Sequence, residues 1–187
     1  MIMRLNPLPG IKKTMKARVA LITGSTSGIG LGIATEFAKA GYNIIFHGLE
    51  SEGRDIATNI GKEYNVDTHY SSSNLLDPSE IILMIRNAVS DLGSIDVLVN
   101  NAGIQYVSSV EEFPLEQWNN IISINLTAAF CTAKAVWSGM KLKKWGRIIN
   151  ISSAHGLVAS EYKSAYVASK HGLIGLTKVL ALEGAEF

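Results

Sequence analysis

Short apolar runs alternate along the chain with longer stretches in which apolar residues recur at helical spacing. The run at residues 19–23 is too short and too apolar for a surface helix, which predicts a buried strand. The same pattern predicts further strands at residues 43–47, 67–71, 95–99 and 147–152. Helical spacing predicts helices at residues 28–40, 52–64, 78–92, 115–140 and from residue 164 onward. Strands that each lead into a helix predict an α/β fold with a doubly wound parallel sheet.

Composition supports one folded domain without a charged partner. The 187 residues are 47% hydrophobic and 18% charged, which excludes general disorder and allows a sizeable core. With 17 basic and 16 acidic residues, the chain offers no charge excess for nucleic acid or an anionic membrane. The longest uncharged stretch, residues 117–133, contains several Asn, Ser and Thr residues and predicts no transmembrane helix.

The single cysteine and the N-terminal residues indicate in which cellular compartment the protein is expected. Cys131 alone forms no intrachain disulfide and no multi-cysteine zinc site, and it suits a reducing, cytoplasmic compartment. Residues 1–15 contain two prolines and no apolar segment long enough for a signal peptide. We therefore predict a loose tail over residues 1–15 and a domain over residues 16–187, and either Met1 or Met15 as the start.

Three glycines lie between the first predicted strand and the first predicted helix. Gly24, Gly28 and Gly30 permit a tight turn and let a pyrophosphate approach the backbone N–H groups at the helix N-terminus. Thr26 and Ser27 add hydroxyl donors. Glycine turns also serve merely as connections, but the strand–turn–helix context that a dinucleotide site requires is present here.

An acidic residue follows the second predicted strand. Glu50 comes 20 residues after Gly30, where an acid that binds the ribose is expected, although an acid there can equally face water. No Arg or Lys occurs between Tyr42 and Gly53. A 2′-phosphate would lack a cationic partner and would be repelled by the local acids. The pattern therefore favours NAD over NADP.

Tyr166 and Lys170 are four residues apart in a predicted helix and so share one face. A phenol is a weak base at neutral pH, and a nearby ammonium favours the phenolate. Such a pair can exchange a proton with an alcohol oxygen. The same spacing also occurs in ordinary surface pairs.

Four features in a fixed order carry a resemblance to a family. They are the sequence TGSTSGIG at residues 23–30, NNAG at residues 100–103, Ser153 after the fifth strand, and the Tyr166/Lys170 pair. Over residues 16–187 the chain resembles the short-chain dehydrogenase/reductase superfamily. The resemblance implies a Rossmann fold with strand order 3-2-1-4-5-6-7, a bound NAD and a homotetramer. Full-length members continue with two more strands and a lid over the substrate, so we expect a C-terminally incomplete fold.

The resemblance also implies a catalytic role for each of four residues. Tyr166 would be the general acid/base, and Ser153 would hydrogen-bond the reacting oxygen. Lys170 would hold the nicotinamide ribose and favour the Tyr166 phenolate. Asn125 would anchor a chain of waters that relays protons. With all four present, we prefer these roles to ordinary structural ones.

The cofactor contacts that the resemblance implies follow the carboxyl ends of the strands. They comprise Gly24, Thr26, Ser27, Gly28, Ile29, Gly30, Leu49, Asn74, Leu75, Asn101, Ala102, Gly103, Tyr166 and Lys170. Asn101 would also steady the central sheet. Asn74 departs from the family, which usually has an acid there. Because Asn keeps an acceptor oxygen, we expect adenine binding to be retained with altered strength.

The loops near Gln105, His155 and Lys163 resemble those of the D-3-hydroxybutyrate dehydrogenases within this superfamily. There the matching residues bind the substrate carboxylate, beside Ser153 and Tyr166. All three are expected where ligands bind in this architecture, and three donors with one permanent charge suit a small carboxylate. This implies hydride transfer from (R)-3-hydroxybutyrate to NAD in ketone body metabolism. A lone histidine can also be structural, and Lys163 an exposed lysine.

Two alternatives stay open at this point. Another NAD(P)-dependent reductase of the superfamily, such as a 3-oxoacyl thioester reductase, would prefer NADPH and would not need Lys163. The second alternative is a non-catalytic fragment, because without strands six and seven the fifth strand becomes an exposed, aggregation-prone edge.

We assign no function to His47, His69 or His171, and no His/Asp/Glu cluster suggests a metal. Three aromatic residues fit either core packing or subunit contacts: Trp118, Phe130 and Trp137.

Overall fold

Five parallel strands form one sheet in the computed structural model, which describes residues 17–187. The strands are β1 (Val19–Ile22), β2 (Asn43–His47), β3 (Thr68–Ser71), β4 (Val97–Asn100) and β5 (Arg147–Asn150). Their order is β3-β2-β1-β4-β5, and every pairing is parallel. The predicted doubly wound α/β fold is therefore confirmed. The tail predicted over residues 1–15 lies outside the described residues.

Helices connect and flank the strands. They are α1 (Gly28–Lys39), α2 (Gly53–Tyr64), α3 (Pro78–Leu92), α4 (Leu115–Ile122), α5 (Ala128–Lys143) and α6 (Ser164–Gly184). Both predicted ends of α3 are confirmed, because Asp77 accepts from the Ser79 N–H at 2.7 Å and Gly93 ends the helix. The predicted bounds of β2 match the observed ones, and those of the other strands differ from them by at most two residues.

The predicted helix over residues 115–140 is wrong as one continuous α-helix. A π-helical turn, Ser123–Thr127, separates α4 from α5, and α5 continues to Lys143. A π turn holds one extra residue per turn and pushes it out of the helical register. Here the turn directs the Asn125 side chain into the interior, where it is 2% exposed.

The sheet separates two apolar layers. On one face Leu21 packs with Met84 of α3 and Ala133 of α5. On the other face Phe46 packs with Ala34 of α1. Every residue of β1, β2 and β4 is buried, which explains why these strands read as continuous apolar runs.

A chain of polar side chains joins β4 and β5 to the two helices behind the site. The hydroxyl of Thr132 on α5 donates to Oδ1 of Asn100 at 2.7 Å. Nδ2 of Asn100 donates to Oδ1 of Asn150 at 2.8 Å, and Nδ2 of Asn150 donates to the hydroxyl of Thr177 on α6 at 2.8 Å. The polar chain therefore fixes α5 and α6 relative to the strands.

β5 is an open edge of the sheet within residues 17–187, where it pairs with β4 alone. Ile149 on this strand is 41% exposed. Beside it, α5, β5 and α6 enclose a groove of about 200 Å³, whose apolar lining includes Trp137, Met140 and Leu180. The described part of the chain thus leaves apolar surface uncovered along this edge.

The helical stretch Leu115–Lys143 is, by length and composition alone, long and apolar enough to cross a membrane. In the fold its second half lies against the sheet. Ala129, Ala133 and Val136 are buried, and α5 packs on α3. Core helices of soluble proteins have the same length and composition.

Candidate active site

A cleft of about 430 Å³ opens at the carboxyl ends of the central strands. Its volume lies within the range of small-molecule sites, roughly 300–1,000 Å³. Predicted cofactor residues that line it are Gly24, Ser27, Gly28, Ile29, Gly30, Leu49, Asn74, Leu75, Asn101, Ala102 and Gly103. Thr26, Tyr166 and Lys170 are not among its lining residues. The cleft thus brings together three loops that are far apart in the sequence.

The glycine loop leaves backbone N–H groups available at this cleft. Gly24 and Gly28 have φ of 62° and 54°, a left-handed conformation that favours glycine. A Cβ at Gly30 would overlap the carbonyl oxygen of Gly24, so the turn tolerates no side chain there. Ser27 at the start of α1 makes no side-chain bond to the helix N–H groups. Such a helix N-terminus suits a phosphate anion.

The hydroxyls of Thr26 and Ser27, expected to face the cofactor, both donate to the carboxylate of Glu50. The bond from Ser27 measures 3.1 Å. These bonds, above all the one from Thr26, hold the pKa of Glu50 below its usual range. Glu50 itself lies exposed at the rim of the cleft. Its negative charge is therefore fixed beside the glycine loop.

Sequence reasoning missed His47, which lines the cleft and is 3% exposed. Its Nδ1 lies 3.1 Å from the Gly24 nitrogen, and its Nε2 lies 2.9 Å from the Ser73 carbonyl oxygen. Burial lowers the pKa of His47, and the bond to Ser73 opposes that shift. A polar residue that ends a buried strand at this edge of the sheet was the available signal.

Asn101 connects the ends of β1 and β4. Its Nδ2 donates to the carbonyl oxygens of Thr23 and Gly24, both at 3.0 Å, and its N–H donates to the Thr23 hydroxyl at 3.0 Å. On the other side of the cleft, Oδ1 of Asn74 accepts from the Leu76 N–H at 3.0 Å. The amide of Asn74 therefore already holds its own loop.

Asn125 joins the loop after β4 to α6. Its Oδ1 accepts from the Ile104 N–H at 2.8 Å. Its Nδ2 donates to the Ile104 carbonyl at 2.9 Å and to the Ser169 hydroxyl at 3.1 Å. Both amide donors are thus used within the protein. Ser169, which sequence reasoning also missed, in turn donates to the Tyr166 carbonyl at 2.8 Å.

Lys170 is buried beside Tyr166. Its Nζ donates to the Ile151 carbonyl at 2.8 Å and lies 5.7 Å from the centre of the Tyr166 ring. A Cβ at Gly103 would lie 3.7 Å from the same nitrogen and 3.3 Å from Oδ1 of Asn125. Lys170 is 4% exposed, and burial lowers its pKa. Two of the predicted catalytic residues, Asn125 and Lys170, therefore lie near the Gly103 loop.

Ser153 precedes a short 3-10 turn, Ala154–Gly156, that packs on α6. Its Oγ accepts from the His155 N–H at 3.1 Å, which leaves its own O–H proton to donate. The His155 ring lies edge-on to Tyr166, with 6.2 Å between ring centres. Nδ1 of His155 is buried and has no hydrogen-bond partner within residues 17–187.

The loops that carry Gln105 and Lys163 are joined by one backbone bond. The Ser108 N–H donates to the carbonyl of Tyr162 at 2.9 Å, and Tyr162 has a left-handed φ of 62°. Gln105 is exposed, whereas Lys163 is half-buried at the start of α6. In the described chain no hydrogen bond links the side chains of Gln105, His155 and Lys163 to one another.

A parallel sheet with this strand order and a glycine loop at its first crossover defines a Rossmann-type α/β protein. The family model for the short chain dehydrogenases matches residues 18–187. The chain therefore belongs to the short-chain dehydrogenase family of oxidoreductases.

Two similar proteins carry the same name. The chain is 51% identical over 172 residues to D-beta-hydroxybutyrate dehydrogenase of Cupriavidus necator, covering 92% of this chain and 67% of the relative. It is 50% identical over 171 residues to D-beta-hydroxybutyrate dehydrogenase of Rhizobium meliloti, covering 90% and 66%. A 3-oxoacyl-[acyl-carrier-protein] reductase of Aquifex aeolicus is 36% identical, covering 90% and 68%. The chain thus spans about two thirds of the length of these relatives.

Solved structures of the same fold include two alcohol dehydrogenases. One, from Thermococcus sibiricus in complex with 5-hydroxy-NADP, superposes with a TM-score of 0.87 at 26% identity, covering 91% of this chain and 72% of that one. The other, a putative short-chain alcohol dehydrogenase from Sinorhizobium meliloti, has a TM-score of 0.86 at 33% identity, covering 91% and 68%.

Proposed function

We propose that the protein containing this chain oxidises (R)-3-hydroxybutyrate to acetoacetate with NAD. One observation carries the substrate assignment: the His155 ring contacts Tyr166, and its buried Nδ1 has no partner in the described chain. A polar atom left without a partner in the interior of a protein calls for a ligand or water group. A substrate carboxylate beside the reacting carbon would supply it. The two relatives that are about 50% identical to this chain are both named D-beta-hydroxybutyrate dehydrogenase, which supports this proposal.

The residues at the cleft fit a dinucleotide. The open N–H groups of the first turn of α1 would take the pyrophosphate, and Lys170 would take the nicotinamide ribose. An ammonium has three N–H donors, and the Ile151 carbonyl uses one of them. Bound NAD would accept a hydride from C3 of the substrate, and the protein orients the two reactants.

Glu50 supports NAD rather than NADP. Its carboxylate stays charged because Thr26 and Ser27 hydrogen-bond it. It therefore presents acceptor oxygens that a ribose hydroxyl can use and a negative charge that repels a 2′-phosphate. We accordingly expect NAD to be used in preference to NADP.

The positions of three side chains indicate how the proton of the substrate hydroxyl is transferred. Tyr166 would take the proton of the substrate hydroxyl, and the Lys170 charge, 5.7 Å from the ring, favours the phenolate that accepts it. The Ser153 hydroxyl, whose oxygen already accepts from the His155 N–H, donates to the same substrate oxygen. Asn125 holds the Gly103 loop and α6 in place for this step.

The carboxylate end of the substrate would lie between two loops. The Ser108–Tyr162 bond ties the Gln105 loop to the start of α6, where Lys163 lies half-buried. Partial burial strengthens the attraction between its ammonium and a carboxylate. Lys163 is thus proposed as the charge partner of the substrate, with Gln105 and His155 as neutral donors.

A 3-oxoacyl thioester reductase that uses NADPH is the second candidate. The guanidinium of Arg54 lies 5.5 Å from the centre of the Tyr70 ring, and the Tyr70 hydroxyl donates to the Gly48 and Glu50 carbonyls. A cation is therefore present near the ribose end of the cleft. Lys163→Ala separates the two candidates, because it should raise KM about tenfold for 3-hydroxybutyrate and leave a neutral ester unchanged.

The reaction is tested with Tyr166→Phe, which removes only the hydroxyl. We expect kcat with (R)-3-hydroxybutyrate and NAD to fall about a thousandfold, within the usual range for loss of a general acid/base. Tyr162→Phe is the matched control, since that exposed ring is four residues earlier and should retain activity. Equal turnover by the two variants would refute the mechanism.

A further inference from the structure

The backbone of Gly24 is held from two directions, and only one of the two bonds uses a titratable group. The Gly24 carbonyl accepts from Nδ2 of Asn101 at 3.0 Å, a bond that does not depend on pH. The Gly24 N–H instead donates to Nδ1 of His47 at 3.1 Å. The same ring contacts the Ser73 carbonyl through Nε2 at 2.9 Å. His47 therefore bridges the glycine loop and the loop after β3, which face each other across the cleft.

The two partners fix the protonation state of the ring. A backbone N–H only donates, so Nδ1 of His47 must carry a lone pair toward Gly24. A carbonyl oxygen only accepts, so Nε2 must carry the proton toward Ser73. The bridge therefore requires a neutral ring in its Nε2–H form. A protonated ring would point a second N–H at the Gly24 N–H and lose the bond.

The groups around the ring favour the neutral state. The glycine loop presents the Ser25 hydroxyl, which accepts from the His47 N–H at 3.0 Å, and the loop after β3 presents the Ser73 carbonyl. Glu50, which follows the same strand, raises the pKa of His47, but burial lowers it more. From α3, the Glu80 carboxylate accepts from the Asn74 N–H at 2.6 Å.

We infer that His47 is a positioning residue of the nucleotide site: its neutral ring holds the Gly24 loop and the Ser73 loop at the spacing that the cofactor requires, so that protonation weakens nucleotide binding. This inference rests on the proposed dinucleotide binding, and it adds a residue to which sequence reasoning gave no role. It also predicts that binding of the nucleotide stabilises the neutral ring, because the two equilibria are linked.

Two variants test the two hydrogen bonds of the His47 ring separately. In His47→Asn, Oδ1 can take the place of Nδ1 and accept from Gly24, and the side chain does not titrate. In His47→Gln, the longer amide can reach Ser73, but it offers Gly24 no acceptor at the position of Nδ1. His69→Asn is the control, because His69 lies 2.7 Å from Asp91 at the surface, away from the cleft.

The first measurement is the Kd of NADH by fluorescence titration at two pH values, about 8 and one below the pKa of His47, which burial places below the usual histidine value. The unmodified protein and His69→Asn should bind about tenfold more weakly at the lower pH, the cost of about one hydrogen bond. His47→Asn should bind equally at both, and His47→Gln weakly at both. An equal acid loss in His47→Asn would overturn the inference.

The second measurement does not need the cofactor. Nitrogen-15 NMR of the ring should show the Nε2–H form at neutral pH, and protonation should coincide with loss of hydrogen-exchange protection at the Gly24 amide. His47→Asn should keep that protection. If Gly24 stays protected while His47 becomes protonated, the inference is wrong. If NADH binds at neither pH, the proposed function fails, while this measurement still decides the role of His47.

Discussion

Replacing Asn125 by Ala tests whether this residue acts by placing the loops of the site. The side chain is 2% exposed and makes three hydrogen bonds, two to the Ile104 backbone and one to Ser169. Family resemblance implies a role in relaying protons through water. In the structure both amide donors are used by the protein, which indicates that the side chain mainly fixes its neighbours.

The expected cost follows from those three bonds. At about 1 kcal/mol of net stability each, their loss destabilises the fold by about 3 kcal/mol. For a domain of this size, that corresponds to a decrease in Tm of about 6–12 °C. Coenzyme binding should weaken as well, because Ile104 lines the cleft and loses both of its partners.

Thermal unfolding followed by circular dichroism measures the effect. Asn119→Ala is the matched control, since Asn119 is exposed on α4 and should change the free energy of unfolding by less than about 0.5 kcal/mol. If Asn125→Ala melts within about 2 °C of this control yet loses turnover, the side chain acts on the chemistry, and the positioning argument is refuted.

Further predictions concern the cofactor and the sheet edge. Glu50→Gln should improve use of NADPH relative to NADH about fivefold, because an exposed like charge is removed; an unchanged ratio of kcat/KM would contradict this. Because hydrogen bonds lower the pKa of Glu50, its carboxylate and the bond from Thr26 should persist as the pH falls through the usual carboxyl range and be lost only at the lowered value, where NADH binding should weaken. Ile149→Lys should reduce self-association of the 187-residue chain in sedimentation velocity, since a charge blocks pairing at the open β5 edge; undiminished association would show that this edge is not the cause.

Local patterns in the sequence were sufficient to predict the sheet. The bounds of β2 are predicted correctly because its short apolar run follows Gly41, the glycine that ends the preceding helical pattern. α3 is predicted at both ends because Asp77, Pro78 and Gly93 mark them. The strand order followed from resemblance, and the observed part agrees with it.

What the sequence did not predict depends on contacts between distant residues. His47 interacts with Gly24 and Ser73, which are 23 and 26 residues away, and a single histidine at a strand end does not reveal such partners. The hydrogen bonds from the Thr26 and Ser27 hydroxyls to the Glu50 carboxylate were not predicted for the same reason, because Glu50 lies 24 and 23 residues from these partners. The experiments above test the roles of Tyr166, Lys163 and Glu50, and the roles assigned to the remaining site residues stay predictions.

The π turn Ser123–Thr127 also sets how this stretch of chain can change length. Each residue of an α-helix advances the side chains by about 100° around the axis, so one residue more or less turns everything after it. The π turn places its extra residue outside this repeat, so deleting one residue within Ser123–Thr127 should give a regular α-helix and leave α5 in its present rotation, with Thr132 still facing Asn100. A one-residue deletion in α4 or in the first turn of α5 would instead rotate the two halves relative to each other and separate Thr132 from Asn100. The π turn therefore fixes the rotation of α5, which packs on the sheet, relative to α4, which carries Trp118.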